Sequence, residues 1–133
     1  MAHKRRRGTA IVDTPDGILV VSESGKVFLL PGGGANPNES RRRAAIRELK
    51  EETGLKTIES AYLFSYKGKI HKDFRGGHFW DEHKVFLINA SGEAKPRNEI
   101  KHIAYFNGSN VKVAAGSRKI IEKYLKSNRD IGR

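Results

Sequence analysis

The stretch GGANPNESRRRAAIRELKEETGL, residues 33–55, decides the fold. Asn36 suits an N-cap, Pro37 the first helical position, and Glu39 falls three residues after the cap, the arrangement of a capping box. The spacing predicts a helix from there to about Thr53, and Gly54 supplies a stop because glycine accepts the left-handed conformation that ends helices. At about 100° per residue, Glu48, Glu51 and Glu52 fall within an arc of roughly 100°, while Ile46 and Leu49 point to the opposite side. Like charges at this spacing cost a few tenths of a kcal/mol per pair, so helix stability alone does not select them. A bound cation would reverse that cost, and hard oxygen ligands suit magnesium, with manganese as a substitute. Taken alone, the stripe reads first as a solvated acidic face paired with Arg43, Arg47 and Lys50 and only second as a metal site.

On the N-terminal side, the β-branched runs at 9–12 and 18–21 flank Thr14-Pro15-Asp16-Gly17, a hairpin signal. Glu23-Ser24-Gly25 turns the chain into a third short strand at 26–30, and Pro31 to Gly34 breaks regular structure. On the C-terminal side, residues 60–70 and 83–89 have strand character with a mobile loop at 73–77 between them, and 103–106 form a last strand. Val113, Ser117, Ile120, Ile121, Tyr124 and Leu125 recur at helical spacing, giving an amphipathic terminal helix. Strands, helix, strands, helix is not the regular alternation of a doubly wound fold, so a mixed β-sheet between helices, of the α/β (α+β) class, is expected. There is no repeat or linker. Residues 1–133 are read as one domain, with a flexible basic segment at 1–7 and a flexible tail at 127–133.

A chain of 133 residues, 37% of them hydrophobic, can bury one core. The absence of cysteine excludes disulfides, thiolate catalysis and cysteine-built zinc sites, leaving oxygen or histidine for any metal. No apolar run approaches the roughly 20 residues of a membrane helix, and no apolar stretch follows the basic start, so a cytoplasmic protein with no membrane partner is expected. The net charge of +11 favours polyanions such as nucleotides, nucleic acid or acidic head groups, and serves equally as a solubilising surface.

The wider register resolves the stripe. Gly33, Glu39 and the run Arg47-Glu48-Leu49-Lys50-Glu51-Glu52-Thr53-Gly54-Leu55 together resemble the complete Nudix box, G-x5-E-x7-R-E-U-x-E-E-x-G-U with U a bulky aliphatic residue. All nine specified positions over 23 residues are met. The resemblance implies a Nudix-like α/β/α sandwich and a magnesium-dependent hydrolase that cleaves a diphosphate bond in a nucleoside diphosphate-linked compound. The products would be a nucleoside monophosphate plus pyrophosphate or a phosphorylated X group. The short chain favours a nucleoside triphosphate, deoxynucleoside triphosphate or NDP-sugar.

The resemblance also implies roles. Glu51 and Glu52 are expected as main metal ligands, and Glu48 as a further ligand or as the base acting on water. Arg47 would hold a glutamate by an ion pair, and Glu39 would be structural. The Gly33 carbonyl is either a metal ligand or part of a plain turn, and Gly54 is conformational. Outside the box, Glu99 stands where related enzymes often place another acid near the metal. Arg41, two turns before the glutamates, is a candidate phosphate contact or else belongs to a solvated basic surface with Arg42 and Arg43. Phe79, Trp80 and Tyr66 are candidates for stacking on a base or for the core. His71, His78 and His83 lack metal-ligand spacing. A second enzymatic reading, removal of the RNA 5′ cap or pyrophosphate, draws on the charge and on Arg5-Arg6-Arg7. A third, a non-catalytic nucleotide- or RNA-binding module, is opposed by the intact acidic set. Dimerisation is expected only because many relatives dimerise.

Overall fold

The computed structural model of the chain describes residues 2–130. Three strands come first: β1 (Ala2–Ile11), β2 (Asp13–Thr14) and β3 (Gly17–Ser22). The glycine strand β4 (Gly32–Gly34) leads into helix α1 (Arg41–Thr53). Then follow β5 (Lys56–Lys67), β6 (His71–Lys72), β7 (His78–Ser91), β8 (His102–Phe106) and helix α2 (Ala115–Asp130). The main sheet runs β4-β1-β7-β5 with β6 added beside β7, and β2-β3-β8 form a second, smaller sheet. Among the described strands of the main sheet, β1 and β7 pair in parallel, over ten residues, and the others antiparallel, so this sheet is mixed, as the element order implied.

Alternation along these central strands divides the core. Ile11 and Val85 face a cluster with Phe106, Ile120, Ile121 and Tyr124 from the α2 side. Ala10, Val12, Phe86 and Ile88 face Ala45 and Leu49 of α1. Helices therefore cover both faces, and burying a leucine such as Leu49 contributes about 1.5–3 kcal/mol. Gly8 sets the spacing of the α1 layer: a Cβ there would lie 2.0 Å from the Arg41 carbonyl oxygen and 2.7 Å from the Ala45 nitrogen.

Five expectations need correction. The basic segment at 2–7 is not a flexible end; it is the first half of β1, in register with β7. Two of its charges are met by acids across the sheet, with Arg5 Nε 2.8 Å from Asp81 and Lys4 Nζ 3.5 Å from Glu82. Helix α1 begins at Ser40, not Asn36. Asn36 and Glu39 do exchange capping-type bonds, but Asn38 has φ 66°, a left-handed turn that no helix continues through, and Ser40 Oγ caps by accepting from Arg43 N–H. Residues 26–30 form no full strand, because Phe28 bridges Val113 while Leu29 bridges Val21, each for a single residue. The loop at 73–77 is a closed turn in which the Asp73 carboxylate accepts from the Arg75 and Gly77 amides. Helix α2 continues through the first residues of the expected tail to Asp130; Met1 and residues 131–133 lie outside the described residues. Gly54 ends α1 as expected, at φ 79° with its N–H donated to the Lys50 carbonyl.

Gly8→Ala should destabilise the chain by about 1–3 kcal/mol, because backbone rather than a movable side chain blocks the methyl group. Gly116→Ala, in the first turn of α2 with open space around it, should instead stabilise by up to about 1 kcal/mol. Urea denaturation checks both, and an unchanged midpoint for Gly8→Ala would show that the two layers do not meet this closely.

Candidate active site

Buried Ala44, Ala45 and Leu49 fix which side of α1 meets the sheet. That rotation carries Glu48 and Glu52 to the flank beside β4. The glycine strand touches both carboxylates: Gly32 N–H donates to Glu52 Oε1 at 3.2 Å, and a Cβ on Gly33 would stand 1.7 Å from Glu48 Oε2. A side chain at Gly33 would displace a carboxylate, which is a stronger demand for glycine than a turn alone makes.

Arg47 ties the loop before the helix to the glutamates. Its Nε and Nη2 donate to the two Glu39 oxygens at 2.8 and 2.9 Å, and Nη2 also donates to the Gly34 carbonyl at 3.1 Å. Nη1 reaches Glu48 at 3.5 Å and Glu51 at 3.4 Å. The two-pronged hydrogen bond from Arg47, followed by the Asn36 amide, holds the Glu39 carboxyl down at about 2. Glu39 is thus a fixed anion that orients Arg47, the structural role expected of it.

Glu48 and Glu52 line a cleft of about 340 Å³ together with Glu99, Arg7 and the glycine strand. Burial pushes the Glu52 carboxyl up to about 8; the Gly32 amide opposes this, while Glu48 and Glu99 add to it. Glu48 is likewise raised, first by burial and then by its contact with Glu51, against the pull of Arg47. Crowded, half-buried carboxylates of this kind are destabilised as anions until a cation joins them. Among the described residues, no three acid or histidine side chains close on one point as a finished cage. An open set of carboxylate oxygens on a phosphate-sized cleft nevertheless suits magnesium, which keeps water and substrate oxygens in its shell.

Glu99 reaches this cleft because its loop docks on the end of α1. Lys95 N–H donates to Thr53 O, Arg97 N–H to Glu52 O, and Asn98 Nδ2 to Glu51 O at 2.7 Å, satisfying carbonyls that a helix end leaves open. Asn98 takes φ 56° to make that turn.

The other candidates lie elsewhere. The Glu51 side chain is half exposed, held by Arg47 and outside the cleft lining. Arg41 is bound to Glu82 at 2.5 Å and lines a different cavity. Phe79 stacks on His71 at 5.3 Å under the Arg5 guanidinium, and Trp80 carries the Lys67 ammonium at 4.8 Å. Both belong to the far end of β7, three or four residues or roughly 10–13 Å along the strand from His83 at the cleft. Tyr66 lines an adjoining cavity and its ring lies 6.0 Å from that of His83.

Arg7 and His83 also line the cleft, a place that the sequence did not give them: Arg7 stood only in the basic run and His83 had no role. His83 Nδ1 shares a 2.8 Å hydrogen bond with Thr9 Oγ1, and burial, with Arg7 adding to it and Asp81 opposing it, lowers the imidazole pKa. The parity of the strands carried the signal: Arg7 and Thr9 share a face with Ile11, and His83 with Val85.

Comparison with known proteins agrees with this construction. The model of the NUDIX domain matches residues 3–124. The ADP-ribose pyrophosphatase of Methanocaldococcus jannaschii is 31% identical over 122 residues, covering 87% of this chain and 70% of that protein. The CTP pyrophosphohydrolase of Escherichia coli is 29% identical over 76 residues, covering 53% and 56%. The chain spans only 40–45% of the length of three Arabidopsis thaliana Nudix hydrolases that it matches. The crystal structure of a Chromobacterium violaceum protein assigned to the nudix hydrolase family superposes with a TM-score of 0.77 at 38% identity, covering 93% of this chain and 78% of that one. With a family model over nearly the whole described chain and the glutamate helix set against its glycine strand, this protein belongs to the NUDIX family of hydrolases.

Proposed function

We propose that the chain hydrolyses a diphosphate bond in a small nucleoside diphosphate-linked molecule, a nucleoside triphosphate or an NDP-sugar, with magnesium held chiefly by Glu48 and Glu52. One observation carries the reading: two half-buried carboxylates press against Gly32 and Gly33 in the same cleft as Glu99 and Arg7. The family acts on acid anhydrides of this kind, while its members' names divide among ADP-ribose, 8-oxo-dGTP and CTP, so the nucleotide itself is the open choice.

A divalent cation bound there would neutralise the diphosphate and lower the pKa of a water bound to it. The chain's own residues do the rest. Gly33 leaves Glu48 room beside the backbone, and the Gly32 amide fixes one Glu52 oxygen so that the other faces the cleft. Arg47, held by Glu39, keeps Glu48 oriented and draws Glu51 against the helix, where it serves the metal as an outer anion. Arg7 meets substrate phosphate charge. Glu99, on a loop locked to the end of α1, orients the attacking water and takes its proton.

Incubation with magnesium and a panel of ADP-ribose, CTP, dNTPs, NDP-sugars and 5′-triphosphorylated RNA, with monophosphate release followed by chromatography, tests the proposal. Turnover of none of them would overturn it, and release of pyrophosphate from the RNA alone would move the assignment to the RNA reading that the +11 charge motivates. Glu52→Gln should lower kcat/KM by about 10²–10⁴-fold with the fold intact, and wild-type turnover in that variant would remove Glu52 from the site.

Magnesium binding must displace the proton that Glu52 holds up to about pH 8. Apparent affinity measured by calorimetry should fall about tenfold per pH unit below 8 and level off above it. The same raised pKa means that the metal-free folded chain binds this proton more tightly than the unfolded chain. The stability this gives is fully present below pH 4.5 and is lost as pH rises through about 8. Glu52→Gln should therefore raise the melting temperature of the metal-free protein at pH 8–9 and abolish its rise on adding magnesium.

A further inference from the structure

On the other flank of α1 lies a second cavity of about 380 Å³, sharing no lining residue with the glutamate cleft. It forms where the sheet runs on past the first turn of the helix. Its walls are cationic: Arg6 from β1, Arg41 and Arg42 from α1, and Lys84 from β7, with no acid among the lining residues. Glu82 answers Arg41. The other three have no carboxylate partner among the described residues. Arg6 donates to the Glu39 backbone carbonyl at 2.9 Å, and Arg42 Nη1 to Ser60 O and Oγ at 2.9 and 2.6 Å. Lys84 Nζ stands 5.9 Å from the centre of the Tyr62 ring.

The cavity also presents a flat aromatic surface. Tyr62 is 49% exposed, and its ring is fixed by a 2.9 Å hydrogen bond to Ser65 and by tilted packing on Phe86 at 5.8 Å. Arg42 covers the ring of buried Phe86 at 4.8 Å and is tied to Ser60 through Nη1 alone, so most of its N–H groups remain unused. Uncompensated cations call for an anion, and a fixed, half-exposed ring beside a planar guanidinium calls for a stacking partner. A nucleotide supplies both in one molecule, and the volume falls in the range of small-ligand pockets. A purely solubilising surface would need neither the ring nor the ordered arginine.

We propose that this cavity is a second, non-catalytic site for a nucleoside phosphate unit, with the phosphate against Arg6, Arg42 and Lys84 and the base against Tyr62. The unit comes either from a free nucleotide or from a single-stranded RNA, since both offer the same phosphate and ring. The site does not rest on the hydrolytic reading, because neither its residues nor its ligand chemistry needs the glutamates or a metal.

The test uses the full chain in EDTA, where metal-dependent turnover is silent, with a fluorescein-labelled 12-nucleotide single-stranded RNA and with AMP, binding being read by anisotropy and calorimetry. Tyr62→Ala should weaken binding about 5- to 150-fold, the loss of one stacked base. Lys84→Ala should lower the slope of log Kd against log salt for the RNA by about 1. Lys126→Ala, an exposed lysine of α2, removes the same charge and should change neither. Turnover of a small nucleotide by Tyr62→Ala and Lys84→Ala should match wild type. AMP that binds with the same dependence on Tyr62 and displaces the RNA identifies a free-nucleotide site; RNA binding with that dependence and no AMP binding identifies a strand site. The proposal is overturned if neither probe binds, if Tyr62→Ala binds as tightly as wild type, or if Lys126→Ala alters the salt slope as much as Lys84→Ala does.

Discussion

The Arg47 guanidinium is the joint on which the site depends. Five N–H donors in one rigid plane reach Glu39, the Gly34 carbonyl, Glu48 and Glu51, and so bind the incoming loop, the glycine strand and the helix to one another. A lysine would supply the charge without the fork. Because Glu39 is itself fixed by the Asn36 amide, the arginine has one orientation, and the glutamates it touches inherit it. The pair is partly buried, and its effect on the site is on geometry.

The second constraint is closeness. Gly8 lets the α1 backbone come down onto β1, and Gly33 lets a carboxylate stand against β4. These contacts place Glu48 and Glu52 where water is partly excluded and like charges are crowded, which is why the carboxyl of Glu52 rises while that of Glu39, on an arginine, falls. Two glutamates on one short stretch of chain thus behave oppositely, one poised for a metal and one serving as a permanent anion.

What was legible in the sequence was local or periodic. The helix, its glycine stop, the acidic face and the register of Gly33, Glu39 and Arg47 could be read because each is fixed by spacing within 23 residues. The helix start was misplaced because Asn36-Pro37 has the chemistry of a cap, whereas one left-handed residue, Asn38, decided the outcome. The basic run at 4–7 was read as an extension because it shows no apolar alternation. It is a strand because it pairs in parallel with β7, where Asp81 and Glu82, more than 70 residues away, meet Arg5 and Lys4, and spacing does not reveal that pairing. Arg7 and His83 were hidden for the same reason, being brought together only once β1 and β7 are aligned. Glu99 was placed by position in the chain; the bonds that hold its loop, from Arg97 and Asn98 to the carbonyls of α1, were not foreseeable.

The most direct test of the central claim, that the glycine strand and the Arg47 joint assemble a metal site from Glu48 and Glu52, is anomalous scattering from crystals grown with manganese and a non-hydrolysable nucleotide. A manganese peak is expected with oxygens of Glu48 and Glu52 in direct coordination and substrate phosphate completing its shell. Manganese on other carboxylates, with the glutamate cleft empty and phosphate bound elsewhere, would contradict it.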